Sequence, residues 1–200
     1  VFTLGPGQAF GFCACVGAKA PFTRQRHEVH TPKSGKPTHF VCLWRGLFDK
    51  RPAYERTWDF DTLCAALSKP RVRPDNKIKL PLWSPTLYRL GTTRLKSNVE
   101  ALSCLVLDYD DGETIEQAVE KWKKHTFILH TSFQHTAEAH RFRLVLPFKT
   151  RVEGKNWEAV WRWAEVMSGK TIDTKCKNAD RLYYLPCDGE DKRFIVNEAK

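Results

Sequence analysis

The sequence predicts an α+β fold in which helices cover one face of an antiparallel-rich sheet and the other face is open for a site. Three observations support it. From residue 101 onward the segments read strand, helix, strand, strand, helix, strand. Only eight residues, 132–139, separate the second strand from the third, too few for the crossover that a parallel pair requires. Each helical segment has one apolar stripe. This order is that of RRM-like, split βαβ sheets.

The first hundred residues form a less regular α/β part. Thr38–Phe48 is apolar and β-prone and predicts a strand. Asp59 can cap a helix that ends before Pro70. Its apolar residues follow the i, i+3, i+4, i+7 rule: Phe60, Leu63, Cys64 and Leu67. We expect a variable subdomain over residues 1–98 and an RRM-like subdomain over 99–200, together making one unit.

The segment Ser68–Asn98 interleaves cations with aromatic residues. Cations that follow phosphates and rings that stack on bases are typical of a groove for single-stranded nucleic acid. The other interpretation is a solvated, proline-rich excursion whose aromatic residues pack into the core. The candidate strand-binding residues are Arg71, Arg73, Lys77, Lys79, Trp83, Tyr88, Arg89 and Arg94.

The central strand of the second half ends in carboxylates. The apolar run Leu102–Leu107 leads directly into Asp108 and Asp110. Because side chains alternate along a strand, these two acids share one face, and Tyr109 lies on the other. Carboxylates in this position hold hard cations such as Mg²⁺, although an exposed acidic turn would have the same sequence.

Two helices and three further strands follow. Thr114 can cap a helix that buries Ile115, Ala118, Val119 and Trp122. The strand Thr126–Thr131 leads into Ser132 and His135. The strand His140–Pro147 sends Phe142, Leu144 and Leu146 to the core and Arg141 and Arg143 to the opposite side. The helix Asn156–Met167 buries Trp157, Val160, Trp161 and Ala164, and Gly169 ends it. Asp173 and Arg181 then precede a last strand, Leu182–Leu185.

Composition narrows the partners and the compartment. The chain has 33 Lys and Arg against 23 Asp and Glu, and this surplus of +10 favours an anionic partner such as nucleic acid. Seven scattered cysteines predict reduced thiols in the cytoplasm of a bacterial or phage-infected cell. No apolar run approaches the roughly 20 residues of a membrane span. Zinc at Cys13, Cys15, His27 and His30 is an alternative to core thiols and surface histidines, although the spacing is not that of a zinc finger.

Several motifs in order resemble one family. LDYDDG, TSFQHT, HRFRLVLP, TID and NADRLYYLP, over about residues 101–187, resemble the archaeo-eukaryotic primase superfamily, in particular the primase-polymerases (PrimPol) of phages, plasmids and prophages. Asp108 and Asp110 match that family's first acidic pair, Ser132 and His135 its Ser/His motif, and Asp173 its third carboxylate. Two residues separate Ser132 from His135, whereas one is usual in the family.

The resemblance implies a template-directed nucleotidyltransferase, a DNA primase and/or DNA polymerase, without an organic cofactor. Two Mg²⁺ or Mn²⁺ ions would be held by Asp108, Asp110 and Asp173. The phosphates of the incoming dNTP or NTP would be contacted by Ser132, His135, Arg141, Arg143 and Arg181. Expected partners are a single-stranded DNA template, a primer, and a helicase domain or other replication proteins. Residues 1–98 would contribute to the template groove and 99–200 would be catalytic.

Other interpretations stay open. The second hypothesis is a non-catalytic module of the same fold that binds single strands on its open face. The third is a phosphohydrolase of the haloacid dehalogenase type, but Asp111 and Glu113 interrupt that family's Asp-Gly-Thr, and its sheet is parallel. Individual residues also have structural alternatives. His135 would be a hydrogen-bonded turn histidine, Asp173 a loop cap, and Arg141 and Arg143 solvent-facing residues of their strand.

Overall fold

A computed structural model describes residues 37–199 of the chain. Three helices are present in this range: α1 (Phe60–Ser68), α2 (Ile115–Trp122) and α3 (Trp157–Met167). The strands are β1 (Thr38–Trp44), β2 (Tyr54–Asp59), β3 (Leu82–Ser84), β4 (Thr86–Tyr88), β5 (Val99–Tyr109), β6 (Phe127–Thr131), β7 (Phe142–Glu153), β8 (Tyr183–Tyr184) and β9 (Phe194–Asn197).

The strands form two sheets, and all pairs of neighbours among them are antiparallel. The five-stranded sheet has the order β4-β5-β7-β6-β9, and the four-stranded sheet the order β2-β1-β3-β8. Strand β5, helix α2 and strands β6 and β7 make the predicted split βαβ unit, because β7 lies between β5 and β6. The predicted α+β, antiparallel-rich fold class is confirmed.

The fourth strand of the RRM-like order was predicted wrongly. The segment after α3 gives only the two-residue β8, which pairs with β3 in the smaller sheet, and β4 occupies the place beside β5. The segment after α3 meets β5 near its C-terminal end, where the amide of Asp173 donates a hydrogen bond to the carbonyl of Asp108 at 2.9 Å. Beyond this contact the segment pairs with β3 and not with β5.

The helix boundaries follow from local chemistry. Asp59 caps α1 by accepting from the amide of Thr62 at 2.8 Å, as predicted. Helix α2 begins with a capping box, in which Thr114 accepts from the amide of Gln117 and the Gln117 side chain accepts from the amide of Thr114. Helix α3 begins one residue later than predicted and is followed by Gly169, whose φ of +70° suits glycine.

The segment Ser68–Asn98 contains core strands. Trp83 in β3 is fully buried and Tyr88 in β4 is 2% exposed, so neither ring is available to stack on a base. The predicted strand-binding role of these two aromatic residues is therefore wrong, and the core-packing alternative holds for them. Periodicity did not reveal β3 and β4, because both are three residues long and Pro85 interrupts the chain between them.

Two further expectations concern chemistry outside the sheets. The five cysteines of the described range are free thiols, four of them buried, as predicted, whereas Cys13 and Cys15, with the zinc alternative, lie outside that range. Among residues 37–199 no helix has both the length and the apolarity to cross a bilayer.

Candidate active site

A cavity of about 400 Å³ opens where β5, β6 and β7 end. The acids come from β5 and the turn after it, and the cations come from β7, from the segment that precedes β5 and from the segment that follows α3. Its polar and charged walls include Asp108, Asp110, Ser132, Gln134, Arg143, Arg181, Lys77 and Arg94. The structure thus brings together residues predicted separately as metal ligands, nucleotide ligands and template ligands.

Asp108 and Arg143 form a buried ion pair on the cavity wall. They are directly opposite each other in the β5–β7 ladder, with Arg143 Nε 3.2 Å from Asp108 Oδ1 and side chains 11% and 8% exposed. Burial by itself lowers the pKa of Arg143, but the neighbouring Asp108 outweighs it, and the pKa of Arg143 lies above its ordinary value. Arg143 also donates to the carbonyl of Tyr184 at 3.0 Å. The predicted solvent-facing alternative is wrong for Arg143, because the loop after α3 covers it.

Asp110 lies at the mouth of the cavity, with half of its side chain exposed. Arg141 Nη1 lies 3.9 Å from Asp110 Oδ1 and donates to Gln134 Oε1 at 3.3 Å. Partial burial raises the pKa of Asp110, and the negative charges of Asp108 and Asp173 raise it further. Negative charge is thus concentrated around Asp110, and a bound cation would reduce the repulsion between the three carboxylates.

Asp173 converges on the same acids through the loop after α3. Its amide holds the carbonyl of Asp108, and the thiol of Cys176 lies 3.8 Å from Oδ2 of both Asp108 and Asp173. The two carboxylate oxygens are therefore no more than twice 3.8 Å apart. Asp173 Oδ1 also accepts a hydrogen bond from the amide of Lys175 at 2.9 Å. Asp173 therefore caps its loop, as the structural alternative expected, and also lies near Asp108.

Cys176 is a site residue that sequence reasoning missed. Its side chain is buried, and this burial, with the negative charge of Asp108, raises its pKa to about 12, so it is a neutral thiol. The one available signal was its position three residues after Asp173 in TIDTKC, where a short 3₁₀ turn places both side chains on one side.

The carboxylates have the chemistry of a site for hard divalent cations. Asp108 Oδ1 accepts no hydrogen bond but is ion-paired with Arg143 Nε at 3.2 Å, so a divalent ion bound at this oxygen would compete with Arg143. Two oxygens that bind one Mg²⁺ at about 2.1 Å lie no more than about 4.2 Å apart. Within residues 37–199 no three His, Cys, Asp or Glu side chains are arranged as a complete metal site. The donor set therefore fits such an ion, and binding requires the side chains to close around it.

His135 lies in the turn between β6 and β7 and is almost fully buried. Its Nδ1 accepts from the amide of Arg141 at 3.0 Å, and its Nε2 lies 3.3 Å from Asp191 Oδ2. Nδ1 is thus the acceptor, and the ring proton lies on Nε2. Ser132 lines the cavity, whereas the ring of His135 is not among its lining groups. This geometry agrees with the turn-histidine alternative, and contact with nucleotide phosphates stays a prediction.

The remaining candidate cations divide into two groups. Arg181 lines the cavity and donates weakly to the carbonyl of Lys175 at 3.4 Å, and Lys77 and Arg94 form part of the opposite wall. The others lie outside the lining: Lys79 pairs with Asp75, Arg73 stacks on Phe133 at 4.4 Å, and Arg71 and Arg89 donate to backbone carbonyls. Two of the eight predicted template residues therefore reach the cavity directly.

Comparison with known proteins identifies the family. The model of the VapE N-terminal domain family matches residues 87–200, which is more than half of the chain. No curated protein matches. Among solved structures, the AEP domain of the cyanophage S-2L primase-polymerase is similar at 17% identity and a TM-score of 0.45, over 82% of this chain and 83% of that one. The family model covers more than half of the chain, and the chain therefore belongs to the VapE N-terminal domain family.

Proposed function

We propose that the protein is a template-directed nucleotidyltransferase, a DNA primase and/or DNA polymerase, that uses two Mg²⁺ or Mn²⁺ ions on single-stranded DNA. One observation carries the proposal: three acids from two distant segments, Asp108, Asp110 and Asp173, lie near one another, and the cavity beside them also has cationic residues in its wall. Phosphoryl transfer needs this combination, because the reacting phosphates are anionic and their metal ions are cationic.

Each group has a task in this chemistry. The three carboxylates would hold the ions, which when bound activate the attacking 3′ hydroxyl and neutralise the leaving pyrophosphate. Arg181 on the cavity wall and Arg141 beside Asp110 would donate charge-assisted hydrogen bonds to the triphosphate. Arg143 pairs with Asp108 on the cavity wall and thereby holds that carboxylate in position. Ser132 would donate to a phosphate oxygen from the cavity wall.

The partners follow from the same arrangement. Residues 1–98 supply Leu47, Lys77 and Arg94 to the cavity, and 99–200 supply the acids, so a template bound by the first part would meet nucleotide held by the second. The domain division and the cytoplasmic location stay predictions. A dNTP or NTP, a primer and a helicase domain or other replication proteins are the partners that this function requires.

An extension assay tests the proposal. With labelled nucleotides and single-stranded template, primed or unprimed, the protein should make product in Mg²⁺ or Mn²⁺ and none in EDTA. Asp108→Asn and Asp110→Asn should each abolish it. Glu120→Gln on the exposed face of α2 is the matched control and should extend normally. Extension that persists in EDTA, or after loss of both aspartates, would overturn the proposal.

A non-catalytic strand-binding module is the second candidate. It is favoured by the Asp108–Arg143 pair, which satisfies the acid with a protein cation, and by the lack of a preformed three-ligand metal site in the described part of the chain. In that case the wild type makes no product and Asp108→Asn binds DNA normally. The antiparallel sheets argue against a haloacid dehalogenase-type phosphohydrolase, whose sheet is parallel.

A further inference from the structure

The loop between β1 and β2, residues 45–53, forms one wall of the cavity and has no role in the chemistry described above. Leu47 lines the cavity that contains Asp108 and Asp110. The next residue, Phe48, is 85% exposed and is thus one of the two most exposed large apolar side chains of the described range. A ring of this size left in water, directly after a residue that lines the cavity, suggests that a partner covers it.

We propose that the 45–53 loop binds the single-stranded nucleic acid at the cavity entrance, with a base stacked on Phe48 and phosphates held by Lys50 and Arg51. The inference deepens the proposed function, because it takes that strand to be the template. Every base has a π face, so stacking on one ring binds single strands with little sequence preference, as a template site must.

The charges around Phe48 favour this partner over an apolar protein surface. Arg45, Lys50 and Arg51 are exposed, and the loop's acid, Asp49, accepts from the amide of Gly46 at 3.0 Å within the turn. A protein-binding patch places a ring among other apolar groups and has few charges at its centre. A ring between exposed cations is instead the pattern of a groove for single strands.

The loop is held in one conformation. Arg94 donates from Nη2 to the carbonyl of Leu47 at 3.1 Å and from its amide to the carbonyl of Lys50 at 2.8 Å. Its guanidinium lies 5.8 Å from the ring of Trp44, which is buried. Arg94 therefore acts as a positioning residue that presents Phe48, and a preorganised ring loses less entropy when a base binds.

A substitution series at Phe48 separates stacking from apolar contact. In the full chain, binding of a fluorescein-labelled oligothymidylate measured by anisotropy should weaken about 5- to 150-fold in Phe48→Ala. Phe48→Tyr and Phe48→Trp should bind like the wild type, because the ring is kept. Phe48→Leu keeps apolar area without a π face and should bind like Phe48→Ala. Val166→Ala, at an exposed apolar position on α3, is the control and should bind normally.

Salt dependence tests the two cations. The slope of log K against log salt is negative, and each phosphate contact makes it steeper. If Lys50 and Arg51 each neutralise one phosphate, the slope of the double alanine variant should be less negative by about 1.4. Phe48→Ala should weaken binding at every salt concentration and leave the slope unchanged. An unchanged slope in the double variant, or equal affinity of Phe48→Leu and the wild type, would overturn the inference.

The outcomes distinguish this inference from the proposed function. Normal extension that depends on Asp108, together with unaltered binding by Phe48→Ala, leaves the function standing and removes the loop from it. A wild type without extension whose oligonucleotide binding falls in Phe48→Ala supports the loop and refutes catalysis.

Discussion

Replacement of Arg143 by methionine is the most informative perturbation, because it acts on the charge balance of the candidate metal site without removing a ligand. Arg143 Nε and Asp108 Oδ1 are 3.2 Å apart, and both side chains are about nine-tenths buried. At an effective dielectric of about 20 the attraction at this distance is about 5 kcal/mol, partly offset by desolvation. Arg143→Met leaves Asp108 buried and unpaired, so we expect the free energy of unfolding to fall by about 3–5 kcal/mol in EDTA.

The expected rescue by divalent ions connects this pair to function. A Mg²⁺ or Mn²⁺ ion bound at Asp108 would replace the lost positive charge, so the variant should bind the ion more tightly than the wild type does. Tenfold tighter binding adds about 1.4 kcal/mol of ion-induced stabilisation at saturating concentrations. Urea unfolding with and without Mn²⁺, for both proteins, measures this difference directly.

Lys121→Met is the matched control for a lost ion pair away from the cavity. Lys121 Nζ lies 2.7 Å from Glu113 Oε1, and Glu113 is 4% exposed. This variant should also lose stability, but Mn²⁺ should stabilise it no more than the wild type. Equal Mn²⁺ effects in Arg143→Met and the wild type would refute the metal role of Asp108, and unchanged stability in EDTA would refute the inferred strength of the pair.

Three further predictions follow from burial and capping. Asp108→Asn should lower the pKa of Asp110 in an NMR titration, because it removes a neighbouring negative charge that raises this pKa; Glu120→Gln should not. Burial lowers the pKa of His130 from 6.5 to about 3. Between these two pH values the unfolded chain binds a proton at His130 and the folded protein does not. The free energy of unfolding should therefore be unaffected by the titration of His130 above pH 6.5 and should fall by up to about 1.4 kcal/mol per pH unit toward pH 3. Urea titrations should show that His130→Gln lacks this part of the slope. Thr114→Ala should cost about 1 kcal/mol in urea unfolding through loss of the cap of α2, and an unchanged midpoint would contradict that role.

Features that depend on neighbours in sequence were predictable from the sequence. The caps at Asp59 and Thr114, the apolar stripe of α3 and the placement of Asp108 and Asp110 at one strand end follow from helix and strand periods, which act over a few residues. Local rules are reliable here because the long strands and helices of the second half carry strong patterns.

Features that depend on distant partners were not predictable in this way. The pairing of β8 with β3, the burial of Trp83 and Tyr88, and the position of Cys176 between two acids are decided by contacts across large sequence separations. A three-residue strand has no periodicity of its own, so its pairing depends on which edge the folded chain leaves open.

The sequence by itself therefore determined the fold class and the placement of Asp108 and Asp110 at one strand end, since these rest on local periods, and motif order singled out the three candidate acids. Only the tertiary structure decided what surrounds those acids: that Arg143 pairs with Asp108, that the thiol of Cys176 lies between two of them, and that the His135 ring is held within its turn. The reason is physical. Charge pairing and burial depend on the three-dimensional environment, which residues far apart in the chain create together.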